Sequence, residues 1–118
     1  MLALSSSFTG GVTSYANAGS AGGTFYYINL GGIKLLWGET NTFTAGNGFT
    51  TEAVDFPAGF FTTIQFANAP VEINSIGAGG SKMPYYQGIS TSGMTVAYYN
   101  PETGTGDSIN WFVFVIGT

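Results

Sequence analysis

Cysteine, histidine and arginine are all missing from this chain of 118 residues, and charge of either sign is scarce. Without cysteine there is no disulfide framework and no thiolate metal site. Without histidine the chain lacks the commonest general base and the commonest neutral metal ligand. Lys34 and Lys82 are the only cations. Two positive charges do not neutralise a run of phosphates, so nucleic acid is excluded as an expected partner. The same shortage argues against an anionic membrane surface. No apolar run approaches the ~20 residues of a membrane-spanning helix. The opening MLALSSSF has no basic start and too short an apolar stretch for a signal peptide. The expectation is a soluble protein, or one released by lysis, with no membrane insertion.

What is present points to β-structure. Nineteen glycines and an aromatic share of 16% suit short strands joined by tight turns. A hydrophobic share of 44% with a net charge of −4 argues against disorder. No helical periodicity of useful length and no internal repeat is found. The length suits one domain with one core.

The stretch INWFVFVIG (Ile109–Gly117) organises the rest. As a strand it sends Ile109, Trp111, Val113 and Val115 to one face and Phe112, Phe114 and Ile116 to the other. Both faces are apolar, so the second needs a cover. Either another layer of this chain or another copy of it supplies one.

Residues 1–24 are rich in Ser, Gly and Ala, with Leu4, Phe8, Val12 and Tyr15 thinly spaced. They read as a flexible linker or as an extended docking arm, followed by a domain over residues 25–118. FYYINL is a short strand with a Gly31-Gly32 hairpin turn after it. Ile33–Glu39 places Ile33, Leu35 and Trp37 on one face and Lys34 and Leu36 on the other. Thr50–Pro57 alternates with Val54 and Phe56 inward. A strand is expected near 62–66, then VEINSIGA, YYQGIS and MTVAYY, with Gly79–Pro84 and Asn100–Asp107 as loops. Tyr85-Tyr86 and Tyr98-Tyr99 each put one ring inward and one outward, the outward ring being a contact between copies or a binding platform.

The acids are Glu39, Glu52, Asp55, Glu72, Glu102 and Asp107. Glycoside hydrolysis needs two carboxylates facing one cleft. Glu102 and Asp107 share a loop, with Glu39 near that end, yet solvated loop carboxylates are the plainer reading. The TGTGD loop matches no calcium spacing. No enzyme activity, metal or cofactor is expected. Alternating antiparallel strands collect the loops 40–49, 79–84 and 100–107 at one end. These carry much of the loop polarity, including Asn41, Asn47, Lys82, Asn100, Glu102, Thr103 and Asp107, and loops on a rigid scaffold often carry recognition. Tyr98 and Tyr99 lead into the last of them as a stacking floor. Ordinary solvated loops are the plainer reading of these positions; with the resemblance given below, the candidate ligand-binding set is Asn41, Lys82, Tyr98, Tyr99, Asn100, Glu102, Thr103 and Asp107.

The order GGIKLLWGE, VDFPAGF, APVEI, TSGMTVAYYN and a terminal aromatic strand ending IG resembles the gp53-like C-terminal domain of bacteriophage tail fibres. More distantly it is similar to the H-type lectins. The likeness covers roughly Gly31 to Gly117. It implies an all-β, six-stranded antiparallel β-sandwich, here preceded by the arm, forming a homotrimer that recognises a host cell-surface glycan. Phe112, Phe114 and Ile116 would then lie at the trimer interface; the competing cover is the FYYINL hairpin folded over them. Residues 1–24 do not resemble a fibre shaft. The expected function is a non-catalytic receptor-binding module of a tail fibre or tail tip, carried on the virion among other tail or capsid proteins. The alternative is a structural virion protein, a decoration or cement protein docking through the arm. A polysaccharide-degrading enzyme stands third.

Overall fold

The terminal strand is the centre of the larger sheet, and its neighbours are set by its length. The structure, a computed structural model, describes residues 11–46, 48–75, 83–101 and 106–118. In chain order the strands are β1 (Thr13–Ala16), β2 (Thr24–Leu30), β3 (Ile33–Glu39), β4 (Phe43–Ala45), β5 (Gly48–Asp55), β6 (Ile64–Asn68), β7 (Val71–Ser75), β8 (Met83–Ser90), β9 (Gly93–Asn100) and β10 (Asp107–Gly117). Every pairing is antiparallel, and no helix occurs among the described residues.

β10 is long enough to take two strands on each side. β3 and β4 run end to end along one edge, and β6 and β7 along the other. Both rows break opposite Trp111 and Phe112. On one side Thr40 exchanges hydrogen bonds with Trp111: its backbone N–H donates to the Trp111 carbonyl, and its hydroxyl accepts from the Trp111 N–H, each at 3.0 Å. On the other side Pro70, which has no N–H to give, accepts from the Phe112 N–H at 2.9 Å. β2 continues the sheet beyond β3, and β1 beyond β2. The second sheet is β5-β9-β8. Among the described residues ten strands thus stand where the resemblance implied six. The additions come from rows split at Thr40 and Pro70 and from strands β1 and β2, which precede the region of likeness.

The core lies between the sheets. Phe25, Leu36, Ile109, Trp111, Val113 and Val115 meet Val54, Met94, Val96 and Tyr98, with Phe56 and Phe61 joining from the connection after β5. The inward face of β10 is as the alternation implied. Trp111 donates its indole N–H to the Ala97 carbonyl at 3.1 Å, so its one polar atom is satisfied in the core. Gly38 lies under the Phe25 ring, where a side-chain carbon would come within 2.4 Å of it.

Residues 13–24 pack against the strands that follow them. β1 pairs with β2, and Ala21 and Asn17 are buried. Asn17 links the sheets: its side-chain oxygen accepts from Gly19 and Asp55 N–H, and its amide nitrogen donates to the carbonyls of Gly22 and Ala53. Tyr15 donates its hydroxyl to the Asp55 carbonyl at 2.7 Å beside them. One seam between the sheets is closed by these bonds. The FYYINL segment does not fold across the outer face of β10. It lies edge to edge beside β3, turned by Gly31 and Gly32 at φ 65 and 105 degrees.

Candidate functional site: an uncovered aromatic sheet face

The outer face of the larger sheet carries the side chains left over from the alternation. Register places Tyr26, Trp37, Phe114 and Asn68 in one row across β2, β3, β10 and β6. Ile28, Leu35, Ile116 and Phe66 form the next row. Thr24, Glu39 and Phe112 form a shorter row on the other side. Phe112 is 44% and Phe114 38% exposed, although both sit on the central strand of the sheet. Tyr26 and Trp37 stack with ring centroids 6.0 Å apart and planes 23 degrees from parallel. With Phe112 and Phe114 they line an open groove of about 720 Å³, which Thr24, Glu39 and Asn41 border. An apolar surface of this kind on a folded chain marks a contact with something else.

A polar cluster ends the face. Asn110 is buried; its amide nitrogen donates to Glu39 Oε1 at 2.6 Å and lies 3.5 Å from Glu72 Oε2. Its oxygen accepts from the Asn74 amide at 2.8 Å. The two amide hydrogens of one side chain thus hold two carboxylates beside Phe112.

The strand ends that flank the three expected turns lie together: Gly48 pairs with Asn100, Met83 with Tyr99 and Asp107 with Ala45. Residues 47, 79–82 and 102–105 of those turns lie outside the described residues. Tyr98 and Asp107 are wholly buried, and the Tyr98 hydroxyl donates to Asp107 Oδ2 at 2.8 Å. Burial, then that hydrogen bond and the carboxylate's charge, push the Tyr98 hydroxyl well above the ordinary tyrosine range. Asn100 is buried and donates to the Ala45 carbonyl. These three side chains are buried and hydrogen-bonded within the chain. Tyr99 is half-buried against Phe49, with centroids 4.8 Å apart. Asn41 is exposed, but it lies on the groove of the aromatic face. Lys82, Glu102 and Thr103 lie outside the described residues.

Phe112, Phe114 and Ile116 were expected on an outer face and are found there, joined by residues the sequence reading left unassigned: Tyr26, Phe66, Asn110 and Glu72. The signal for the first was available. Tyr26, Ile28 and Leu30 repeat on the same side as Ile33, Leu35 and Trp37 once the Gly31-Gly32 hairpin closes.

No protein-family profile matches the chain, and no curated protein matches it in sequence. Solved structures do match in shape. An N-truncated R1-type pyocin tail fibre is similar over 99% of this chain and 95% of its own, at 16% identity and a TM-score of 0.60. A longer piece of the P. aeruginosa R1 pyocin fibre is similar over 97% of this chain, at the same identity and score, and the chain spans 30% of its length. The chain therefore shares its fold with the C-terminal part of a pyocin tail fibre.

Proposed function

We propose that this chain is the receptor-binding module of a phage-type tail fibre, carried on the particle, and that it works as a homotrimer without catalysing a reaction. The observation that carries the reading is the uncovered aromatic face on a chain with a tail-fibre fold. A Phe side chain gains about 1.5–3 kcal/mol when fully buried, so Phe112 and Phe114 favour a partner surface. Three-fold association of identical chains supplies one without any further component. The kinship to gp53-like domains and H-type lectins, and a glycan as the ligand, belong to this same proposal. A non-catalytic role fits the use of Asp107 as a partner of Tyr98 and of Glu39 as a partner of Asn110. The docking-arm alternative loses its motivation over residues 13–24, which are part of the fold.

Two measurements test the reading together. Light scattering on the purified chain is expected to give the mass of three copies, and the trimer is expected to label host cells. A folded monomer at micromolar concentration would end the trimer reading; a trimer that ignores host cells and their surface polysaccharide would end the receptor reading.

A further inference from the structure

The sheets are joined by Asn17 along one seam, whereas the opposite seam, between β6 and β8, opens into a cleft of about 610 Å³. That volume lies within the roughly 300–1,000 Å³ usual for small-molecule sites. We propose that this cleft is a binding site for a neutral sugar unit of a surface glycan. The inference rests on the receptor reading above and gives it a location.

Three observations carry it. The first is the chemistry of the walls, which among the described residues contain Thr63, Gln65, Ser90 and Thr91 with Phe66 and Ile89 and no charged side chain. Hydroxyls and an amide match the donors and acceptors of sugar hydroxyls. Phe66, 50% exposed, offers an apolar ring to the C–H face of a pyranose. Among the described residues an acidic sugar would find no cation here, so these walls suit neutral ones.

The second is that both walls are bulged at the cleft. On β6 the register passes from Phe66 opposite Ile116 to Ile64 opposite Gly117, so Gln65 is the extra residue. On β8 it passes from Gln87 to Ile89, and Gly88 is the extra residue, at φ 51 degrees. A bulge bends its strand and re-aims the side chains beside it, and bulges gather next to functional sites. Two of them on facing edges hold the seam open where the polar side chains are.

The third is availability. The Thr63 and Thr91 hydroxyls make no hydrogen bond among the described residues, whereas Ser90 is committed to its turn through Ser92. Gln65 contacts Thr118 only at 3.5 Å, the long limit of a hydrogen bond. Thr63 is held from its backbone instead, by reciprocal bonds with Thr118 at 3.0 and 2.9 Å, which fix the wall and leave the side chain to a ligand.

The test uses the whole chain and defined oligosaccharides: neutral ones of glucose, galactose, mannose and rhamnose, and acidic ones of galacturonate. Binding is followed by amide NMR shifts and calorimetry, with host-cell labelling in parallel. At least one neutral oligosaccharide is expected to bind and to shift Gln65 and Thr91. The exposed pair Gln65→Ala with Thr91→Ala is expected to weaken it at least tenfold at unchanged melting temperature, and Thr51→Ala, exposed on β5 away from the cleft, to leave it unchanged. Neutral binding that survives the double substitution overturns the cleft and leaves the glycan reading standing. Binding confined to galacturonate overturns the neutral specificity. No binding by any oligosaccharide, together with no labelling of host cells, overturns the cleft and the receptor reading at once. Labelling without oligosaccharide binding that is unaffected by the double substitution overturns the cleft alone.

Discussion

Asn17 uses all four hydrogen-bonding positions of its amide, two on its own loop and two on β5. Removing it strips partners from the Asp55 N–H, and a buried group left without a partner costs about 1–3 kcal/mol. Asn17→Ala is expected to lower stability by about 2–3 kcal/mol in urea unfolding, with Asn17→Asp only partly restoring it because a carboxylate has no N–H to donate. A second expectation concerns alkali. Tyr98 and Tyr15 both titrate well above the ordinary value of 10.0, through burial first and then through Asp107 and Asp55 respectively. The folded state therefore holds these protons more tightly than the unfolded chain. Their contribution is fully present below pH ~10 and is lost as pH rises above it. Melting temperature should be level from pH 8 to 10 and fall steeply beyond. A melting curve that stays flat to pH 12 would contradict the buried Tyr98–Asp107 bond. At this scale the sequence was least legible. Asn17, Asn100 and Asp107 look like loop polarity because hydropathy records transfer to water and carries no information on a hydrogen-bond partner far along the chain.

Elements were more legible, because alternation reports which face a strand buries. The outward row of β10, the Gly31-Gly32 hairpin and the inward Val54 and Phe56 all follow from periodicity and turn chemistry. β1 was hidden because its residues, Thr13–Ala16, bury little apolar surface and owe their place to a neighbouring strand. The break in the rows at Thr40 and Pro70 was hidden for a related reason: a threonine hydroxyl standing in for a ladder carbonyl leaves no mark on periodicity. On the Thr40 side, that hydroxyl takes the Trp111 N–H where the ladder stops. Thr40→Val keeps the shape and leaves the buried Trp111 N–H without its acceptor, so it is expected to cost about 1–3 kcal/mol. Tryptophan fluorescence during denaturant unfolding reads the loss; Thr40→Ser should recover most of it.

For the whole molecule, the aromatic face and the cleft are separate surfaces of one sheet, meeting at Phe66. Association through the face would repeat the cleft three times around an axis. Linked sites raise avidity by about 10²–10⁴ without a new contact. Phe114→Asp puts a charge into the proposed contact, where burial without a partner is costly. It is expected to give monomers that keep the fold by circular dichroism and label host cells at least a hundredfold more weakly. A variant that stays trimeric and equally stable would remove the face from the contact. Neither the face nor the cleft was open to a reading of loops. The face needed the hairpin to be placed beside β3, and the cleft needed the register of two bulges.

The position of β10 also sets an order of events in synthesis. It is made after β3, β4, β6 and β7, the four strands it separates and pairs. Until Asp107–Gly117 leaves the ribosome, each of those strands has an edge with no ladder partner, and the Trp111 side of the core is empty. Every pairing across β10 spans a long loop closed late, which slows folding and leaves open edges to neighbouring nascent chains. A chain that stops short of β10 keeps its hairpins and lacks the centre of the larger sheet.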